Sequence, residues 1–428
     1  MQASRHFRFH IAASLLALCS IPLSAKANDT LSATSCPGQS ENVDELSEAF
    51  TCGRVSGSLR ALYYSTHNAY FEQGYNQDTI SYGGTVKYET APFHGFSIGI
   101  SANLLRGIDH PDSSHLVDSI GKNQTAIGEA YLKWQSEKFR ISAGNIRLDI
   151  PFVSDYDWRI TPILFRAVDV HYGDKTDFVQ VTKIWRYKPW SDDRFLSTTA
   201  YTDVTQRTNG MWAIGAGRSA SLGDKLLTGQ LWYESYDDYV KLGYAETHLL
   251  WQDTTLRPDL ALQFVRGTSE GRALAGEVDS TSYGAQFGLN LSPELSWSVG
   301  YDHIAASANT WKDGALVTPY AHNSASGPYF AAPFFTSVQD LGSGNAYATK
   351  LTYVYSQNLT MGGQYSFMDL KPTATSASLD QSEYMAFIVW NFGGKMKGLS
   401  ISEFIGLQTS PVYDFNYVEN RLTLQYDF

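Results

Sequence analysis

The sequence predicts an all-β chain that closes into a transmembrane antiparallel β-barrel, with 18 strands and 16 as the runner-up count. Three observations lead there. Many segments of about ten residues alternate apolar and polar side chains, as a strand does with lipid on one face and water on the other. Beyond residue 23 no stretch is apolar enough to cross a membrane as a helix, which needs roughly 20 such residues. The chain also ends on a strictly alternating strand that closes on an aromatic side chain, Phe428.

Composition agrees with that class. Aromatic residues make up 14% of the 428, led by 27 Tyr, and there are 35 Gly. Charged residues are only 18%, yet the mean hydropathy is −0.25. That is the balance of a chain with both a lipid-facing and a water-facing surface. The formal net charge is −11, which argues against nucleic acid as a partner. A soluble propeller would also show many short strands, but no blade motif repeats here.

Residues 1–27 have the order of a secretory signal peptide. Arg5 and Arg8 give a positive start, residues 11–23 are apolar, and Ala25-Lys26-Ala27 gives the small-x-small pattern before a mature start at Asn28. The apolar run is too short for a membrane anchor. Removing the leader takes away Arg5, Arg8 and Lys26 and no acid, so the mature chain is more acidic still. Two cysteines then remain, Cys36 and Cys52. In an oxidising compartment that pair is expected as a disulfide rather than a metal site. No His or Cys cluster has zinc spacing, so neither metal nor cofactor is expected.

Residues 28–53 are expected as a short periplasmic segment, with a helix over 41–50 capped by Ser40. Residues 54–428 are expected as the barrel. In 96–104, Phe96, Ile98, Ile100, Ala102 and Leu104 share one face, opposite Ser97, Gly99, Ser101 and Asn103. In 421–428, Leu422, Leu424, Tyr426 and Phe428 oppose Arg421, Thr423, Gln425 and Asp427. The polar faces are small and hydrophilic, suited to a wet lumen. About 19 candidate strands can be marked, and since bacterial single-chain barrels have even numbers one of them is surplus. The weakest is 194–210. Connections alternate between tight turns, such as 136–138 and 173–176, and long loops. The long ones include 145–165 and a proline-bearing stretch, 305–344, expected as an extracellular cap.

Three stretches together resemble the OprD-type porins, the outer-membrane carboxylate channels. The first is Thr85-Val86-Lys87-Tyr88-Glu89, then Pro92-Phe93-His94-Gly95 and the strand from Phe96. The second is Ile150-Pro151-Phe152-Val153-Ser154-Asp155-Tyr156-Asp157-Trp158-Arg159-Ile160-Thr161-Pro162, followed by Phe165. It is similar to that family's third extracellular loop, with its proline, Asp-x-x-x-Arg and Pro-x-x-Phe pattern. The third is Gly394-Lys395-Met396-Lys397-Gly398 before the closing Asn420-Arg421-Leu422 strand. The resemblance implies an 18-stranded monomer or homotrimer in a Gram-negative outer membrane. It implies that the third loop folds inward to narrow the pore, and that a ladder of basic side chains guides carboxylates. The chain departs from the pattern in its acidity and in Cys36 and Cys52.

The residues support a similar reading on their own. Loop 145–165 mixes Arg147, Asp149, Asp155, Asp157 and Arg159 with apolar side chains that can pack it on a wall, which suits a constriction. Arg60, Lys87, Lys133, Arg140, Lys350 and Arg421 fall on polar strand faces, where a row of fixed positive charge draws anions. Each of these could instead pair with acids such as Glu89 and Glu129. The expected function is diffusion of small water-soluble solutes, anionic or zwitterionic organic molecules such as carboxylates or amino acids. The alternative is a non-conducting structural or adhesin-type barrel. Partners are then membrane lipid, the solutes, and the barrel-assembly machinery acting on the terminal Phe428. No motif surrounds His67, His94, His171 or His303, so an enzyme is not expected.

Overall fold

The computed structural model describes residue 36 and residues 42–108, 115–321, 327–336, 342–372 and 380–428. The stretch 1–27 expected as a leader lies outside them, as do Ser40 and Glu41. Alternation of apolar and polar residues turns into strands from Arg54 onward. The first are β1 (Arg54–His67), β2 (Gln77–Glu89), β3 (Phe96–Gly107), β4 (Gln124–Ser136) and β5 (Phe139–Ile146). A small hairpin, β6 (Asp149–Ile150) and β7 (Val153–Ser154), interrupts the series. Next come β8 (Leu164–Gly173), β9 (Phe178–Lys188), β10 (Met211–Leu222), β11 (Lys225–Tyr236), β12 (Val240–Trp251) and β13 (Asp259–Ser269). The series ends with β14 (Asp279–Asn290), β15 (Leu295–Ile304), β16 (Gly344–Val354), β17 (Leu359–Leu370), β18 (Gln381–Asn391), β19 (Leu399–Thr409) and β20 (Tyr417–Asp427).

All but β6 and β7 form one 18-stranded antiparallel sheet in which each strand pairs with its chain neighbours. The ring closes where β20 pairs with β1, from Ser58↔Asp427 to His67↔Val418. Phe428 completes the seam: Gly57 N–H donates to its carbonyl at 2.9 Å, and its own N–H donates to Gly57 O at 3.1 Å. Closure leaves no open strand edge, which lipid could not satisfy. The surplus candidate strand is 194–210. Between β9 and β10 the chain makes only an isolated bridge, Tyr187↔Leu196, because its side chains do not alternate.

Period-2 alternation sorts the side chains as the sequence suggests. Ile98, Ile100 and Leu104 point outward and are exposed, while Ser97, Ser101 and Asn103 are buried on the lumen side. Tight turns join strands at one rim. In 174–177 the Asp174 carboxylate accepts the Thr176 and Asp177 amides at 2.9 and 2.8 Å, a side chain doing a backbone's work. Long loops join strands at the other rim. No helix among the described residues is long and apolar enough to cross a membrane.

The N-terminal helix, α1, is shorter than expected, Leu46–Thr51, with Glu45 at its N-cap and no side-chain cap bond. It sits at the short-turn rim, where Ala91 N–H donates to Ala49 O and Val43 N–H to Pro92 O. Cys36 and Cys52 are joined by a disulfide, with Cα atoms 5.5 Å apart.

Candidate functional site

The lumen is divided. On the side of β8 to β17 an apolar cluster fills it, built from inward strand residues such as Phe165, Met211, Tyr236 and Met368 together with loop residues. Loop 147–163 contributes Ile150, Phe152 and Val153, and loop 305–343 contributes Leu316, Val317 and Tyr320. The two loops touch at Gly327, whose φ is +139°; a Cβ there would lie 2.5 Å from Phe152 Cε1. A glycine is required both for that backbone and for that contact.

Loop 305–343 therefore does more than cap the barrel. In its described parts the apolar residues turn inward, since only the lumen offers them burial. Two inward carboxylates hold it. Asp302 on β15 accepts the Ala331 amide at 2.5 Å, and Glu383 on β18 accepts the Phe334 amide at 2.6 Å.

Loop 147–163 leaves β5, turns through the β6–β7 hairpin and reaches β1 and β19, several strands further round the ring. Its tip is wedged by Trp158, which meets Phe334 and Phe404 edge-on, both at 5.5 Å. Arg60 on β1 pairs with Asp157 at 2.5 Å and donates to the Arg159 carbonyl at 2.7 Å. Arg147 pairs with Asp155 at 3.2 Å, with Asp157 at 2.9 Å and with Glu129 on β4 at 3.6 Å. Burial works to raise the Asp157 pKa, but Arg60 and Arg147 outweigh it and hold the group down to about 2. For Asp155 burial wins over Arg147, and the pKa is pushed up to about 6. Asp149 stands apart, its backbone paired with Ser154 in the hairpin.

Arg159 enters the lumen between two rings, 4.8 Å from the centre of Tyr64 and 5.5 Å from that of Trp190. Its Nε and Nη1 are buried with no hydrogen-bond partner among the described residues. Arg421 on β20 shares the Tyr64 ring at 5.4 Å and is paired with Glu419 at 2.6 Å. Burial and the Arg421 charge both work against ionisation of Arg159. Two guanidiniums thus flank one ring, one of them neutralised by Glu419.

Toward the short-turn rim the remaining basic residues descend along the same wall. Lys87 pairs with Glu129 at 3.1 Å, Lys133 with Glu89 at 2.5 Å, and Arg140 with Asp169 at 3.6 Å. Lys350, on the other side, lies 5.5 Å from the centre of the Phe387 ring. The structure thus brings Arg60, Arg147, Asp155, Asp157, Arg159 and Arg421 together at one level. It gives the lower cations carboxylate partners. Tyr64, Trp190, Glu419 and Asp169 were not singled out from sequence. Their inward position on alternating strands was a signal for Tyr64, Glu419 and Asp169; Trp190 lies in a loop and had none.

These features define an outer-membrane-type β-barrel with loops folded into its lumen. No family model matches the sequence, and no curated protein matches it. Solved structures do. Acinetobacter baumannii OccAB2 is 15% identical, with 89% of this chain and 99% of that one covered and a TM-score of 0.74. Pseudomonas aeruginosa OccK9 (OpdG) is 14% identical over 89% and 99% of the two chains, with a TM-score of 0.76. Pseudomonas aeruginosa OpdK, solved with vanillate, is 14% identical over 88% and 98%, with a TM-score of 0.74. The fold of this chain is that of the OprD-type porins.

Proposed function

We propose that this chain is an outer-membrane porin that passes small anionic or zwitterionic organic solutes through an eccentric path beside β1 to β5. One observation carries the reading: the charged level where Arg60, Arg147, Arg159 and Arg421 meet Asp155 and Asp157 beside an apolar wall. A solute entering there loses water on one side and meets fixed charges of both signs on the other. Guanidiniums hold carboxylates in a fork, and the acids opposite favour an ammonium on the same molecule. Below that level Lys87, Lys133 and Arg140 offer weaker, already paired stations, which favours release over retention. OpdK, whose fold is similar, was solved with vanillate, itself a carboxylate.

In this reading the long-loop rim faces outside, and loop 147–163 is the constriction. Single-channel recording in planar bilayers tests it, with small organic acids, sugars and basic amino acids added on one side. Current blocks by organic acids or zwitterions are expected. Block by sugars alone would leave a porin of another specificity. The apolar cluster across half the lumen favours a second reading, a structural barrel without conductance, which a silent bilayer would support.

A further inference from the structure

Two arginines face each other on the outside of the wall. Arg166 of β8 is opposite Arg186 of β9, and both side chains are exposed. Their chain neighbours fix the direction, since Phe165, Ala167 and Tyr187 are buried in the apolar cluster of the lumen. Like charges directly opposite in a sheet repel and weaken it. Register places the pair at the long-loop end of the wall. Toward the middle, the next outward row is Val168, Lys183 and Trp212, and the one after it is Val170, Val181 and Ile214. An apolar row thus gives way to a lysine and a tryptophan, and then to two arginines. Trp185, the extra residue at the register shift beside Arg186, is exposed, and so is Trp212. Outward tryptophans mark the level where lipid tails meet headgroups.

Other outward cations at this rim are satisfied by the protein itself. Lys183 pairs with Asp237 at 3.7 Å and donates to the Asn209 carbonyl at 3.2 Å. Arg266 of β13 pairs with Asp279. The facing arginines differ. Arg166 donates Nε to Asn145 Oδ1 at 3.1 Å and lies 5.0 Å from the centre of the Phe195 ring, contacts that orient the guanidinium without neutralising it. Arg186 has no hydrogen-bond or ion-pair partner among the described residues. The acids of the loop that follows β9, Asp192 and Asp193, lie against Arg194 at 3.8 and 3.5 Å. Two positive charges therefore stand together at the headgroup level with no carboxylate paired to either among the described residues.

We propose that Arg166 and Arg186 bind the phosphate group of a lipid headgroup in the outer leaflet of the membrane. A phosphate carries enough acceptor oxygens for both guanidiniums at once, and it turns their mutual repulsion into two charge-assisted contacts. The depth suits a lipid. With its phosphate held between the arginines, at the level of Trp185 and Trp212, the acyl chains run down over Val168, Val170 and Val181. A soluble organic anion has no use for that apolar column. The inference rests on the orientation given above, with the long loops outside, but not on which solute the barrel passes or on whether it conducts.

The test is binding of purified lipopolysaccharide to the folded full chain, read by native mass spectrometry and by thermal unfolding. Wild type should retain the lipid and unfold later in its presence. Arg166→Gln and Arg186→Gln should each weaken binding roughly tenfold, and the double variant should lose the retained lipid. Without lipid the double variant should unfold no earlier than wild type, because a repulsion is gone; a purely structural role for the arginines predicts the reverse. Heat-shift gels establish that each variant barrel is folded. Equal binding of enzymatically dephosphorylated lipopolysaccharide, or undiminished binding by the double variant, overturns the proposal. Displacement of the lipid by an equal concentration of inorganic phosphate overturns it in favour of a free anion, and preference for phosphatidylglycerol overturns the outer-leaflet assignment. Conductance of the same preparations tests the channel reading separately: a silent barrel that binds lipopolysaccharide through these arginines supports this proposal while that reading fails.

Discussion

Arg60 on β1 and Asp157 in loop 147–163 lie 2.5 Å apart although 97 residues separate them in the chain. The pair ties the loop to a wall it does not grow from. A loop that leaves β5 would otherwise be free to swing outward. Here the same guanidinium also takes the Arg159 carbonyl, so anchor and binding level are fixed together.

Asp157→Asn should therefore loosen the loop. Its carboxylate is held down to about 2, so the native pair persists well below neutral pH and fails only as pH falls toward that value. Wild-type current should show no change attributable to this pair between pH 5 and 8 (roughly three units or more above its titration). The variant, and Arg60→Ala, should give larger and noisier single-channel currents at neutral pH. Currents as quiet as wild type in a folded variant would mean the loop is held by Trp158 alone.

Asp155 should titrate where the pore works. Its pKa is pushed up to about 6 by burial, so it is neutral below that pH and charged above it. A raised carboxyl favours the folded loop most at low pH, and this contribution fades as pH rises through about 6. Each Asp155 that ionises adds a negative charge beside Arg147. Preference for anions should then fall as pH rises from 5 to 7 (about one unit either side of the midpoint). Reversal potentials in a salt gradient measure it. The step should vanish in Asp155→Asn.

Glu89 decides how much of the lower basic ladder a solute feels. It pairs with Lys133 at 2.5 Å and Lys87 at 3.6 Å, and accepts the Tyr131 hydroxyl. Glu89→Gln should free the Lys133 ammonium, leave Lys87 on Glu129, and shift the reversal potential toward anions. A shift toward cations would show that Lys87 and Lys133 do not face the conducting path.

The barrel was legible in the sequence because lipid and water enforce strict alternation. In 421–428 and 96–104 each side chain falls on the face its position assigned. Segment 194–210 gave a weak strand pattern and proves to be loop, lacking that alternation. The lumen was less legible. Arg60 and Arg421 were found by their polar faces, but what each meets depends on long-range folding of loops, which no local period encodes. Sequence shows that Glu89 and Lys133 are 44 residues apart; only register brings them together. The inward turn of the described parts of 305–343 was missed because apolar residues in a loop fit an exposed cap as well as a buried strap.

Tethering of the N-terminal segment can be tested without disturbing the pore. The Cys36–Cys52 bridge spans a separation of 16 residues. In the chain-entropy model a bridge of that size contributes about 3 kcal/mol. Non-reduced mature protein should contain no free thiol by mass spectrometry. A Cys36→Ser, Cys52→Ser double variant should lose protease resistance ahead of β1 while its conductance stays unchanged. Altered conductance would place the segment at the mouth of the path instead of on the rim.

The strap formed by 327–336 depends on two carboxylates that sequence gave no reason to single out. Asp302 spends one oxygen on the Ala331 amide and the other on Gln263 Nε2, at 2.5 and 2.6 Å. Glu383 takes the Phe334 amide at 2.6 Å, the Phe335 amide at 3.2 Å and the Thr336 hydroxyl at 3.3 Å. A carboxyl suits both places because either of its oxygens can take a donor, where an amide offers only one. Asp302→Asn sets an amide N–H₂ against either the Ala331 N–H or the Gln263 Nε2–H₂, and Glu383→Gln sets one against a Phe334 or Phe335 N–H, leaving a buried donor against a donor. Such a mismatch costs about 1–3 kcal/mol. Hydrogen exchange at Ala331, Phe334 and Phe335 should quicken roughly 5- to 150-fold. Because Phe334 also stacks on Phe404 at 4.7 Å and meets Trp158, a loosened strap should unsettle the tip of loop 147–163 as well. Glu383→Gln should then raise current noise in the way Asp157→Asn does, whereas Asp302→Asn, further from that contact, should quicken exchange at Ala331 with less effect on current. Equal noise from both variants would show that the strap moves as one piece.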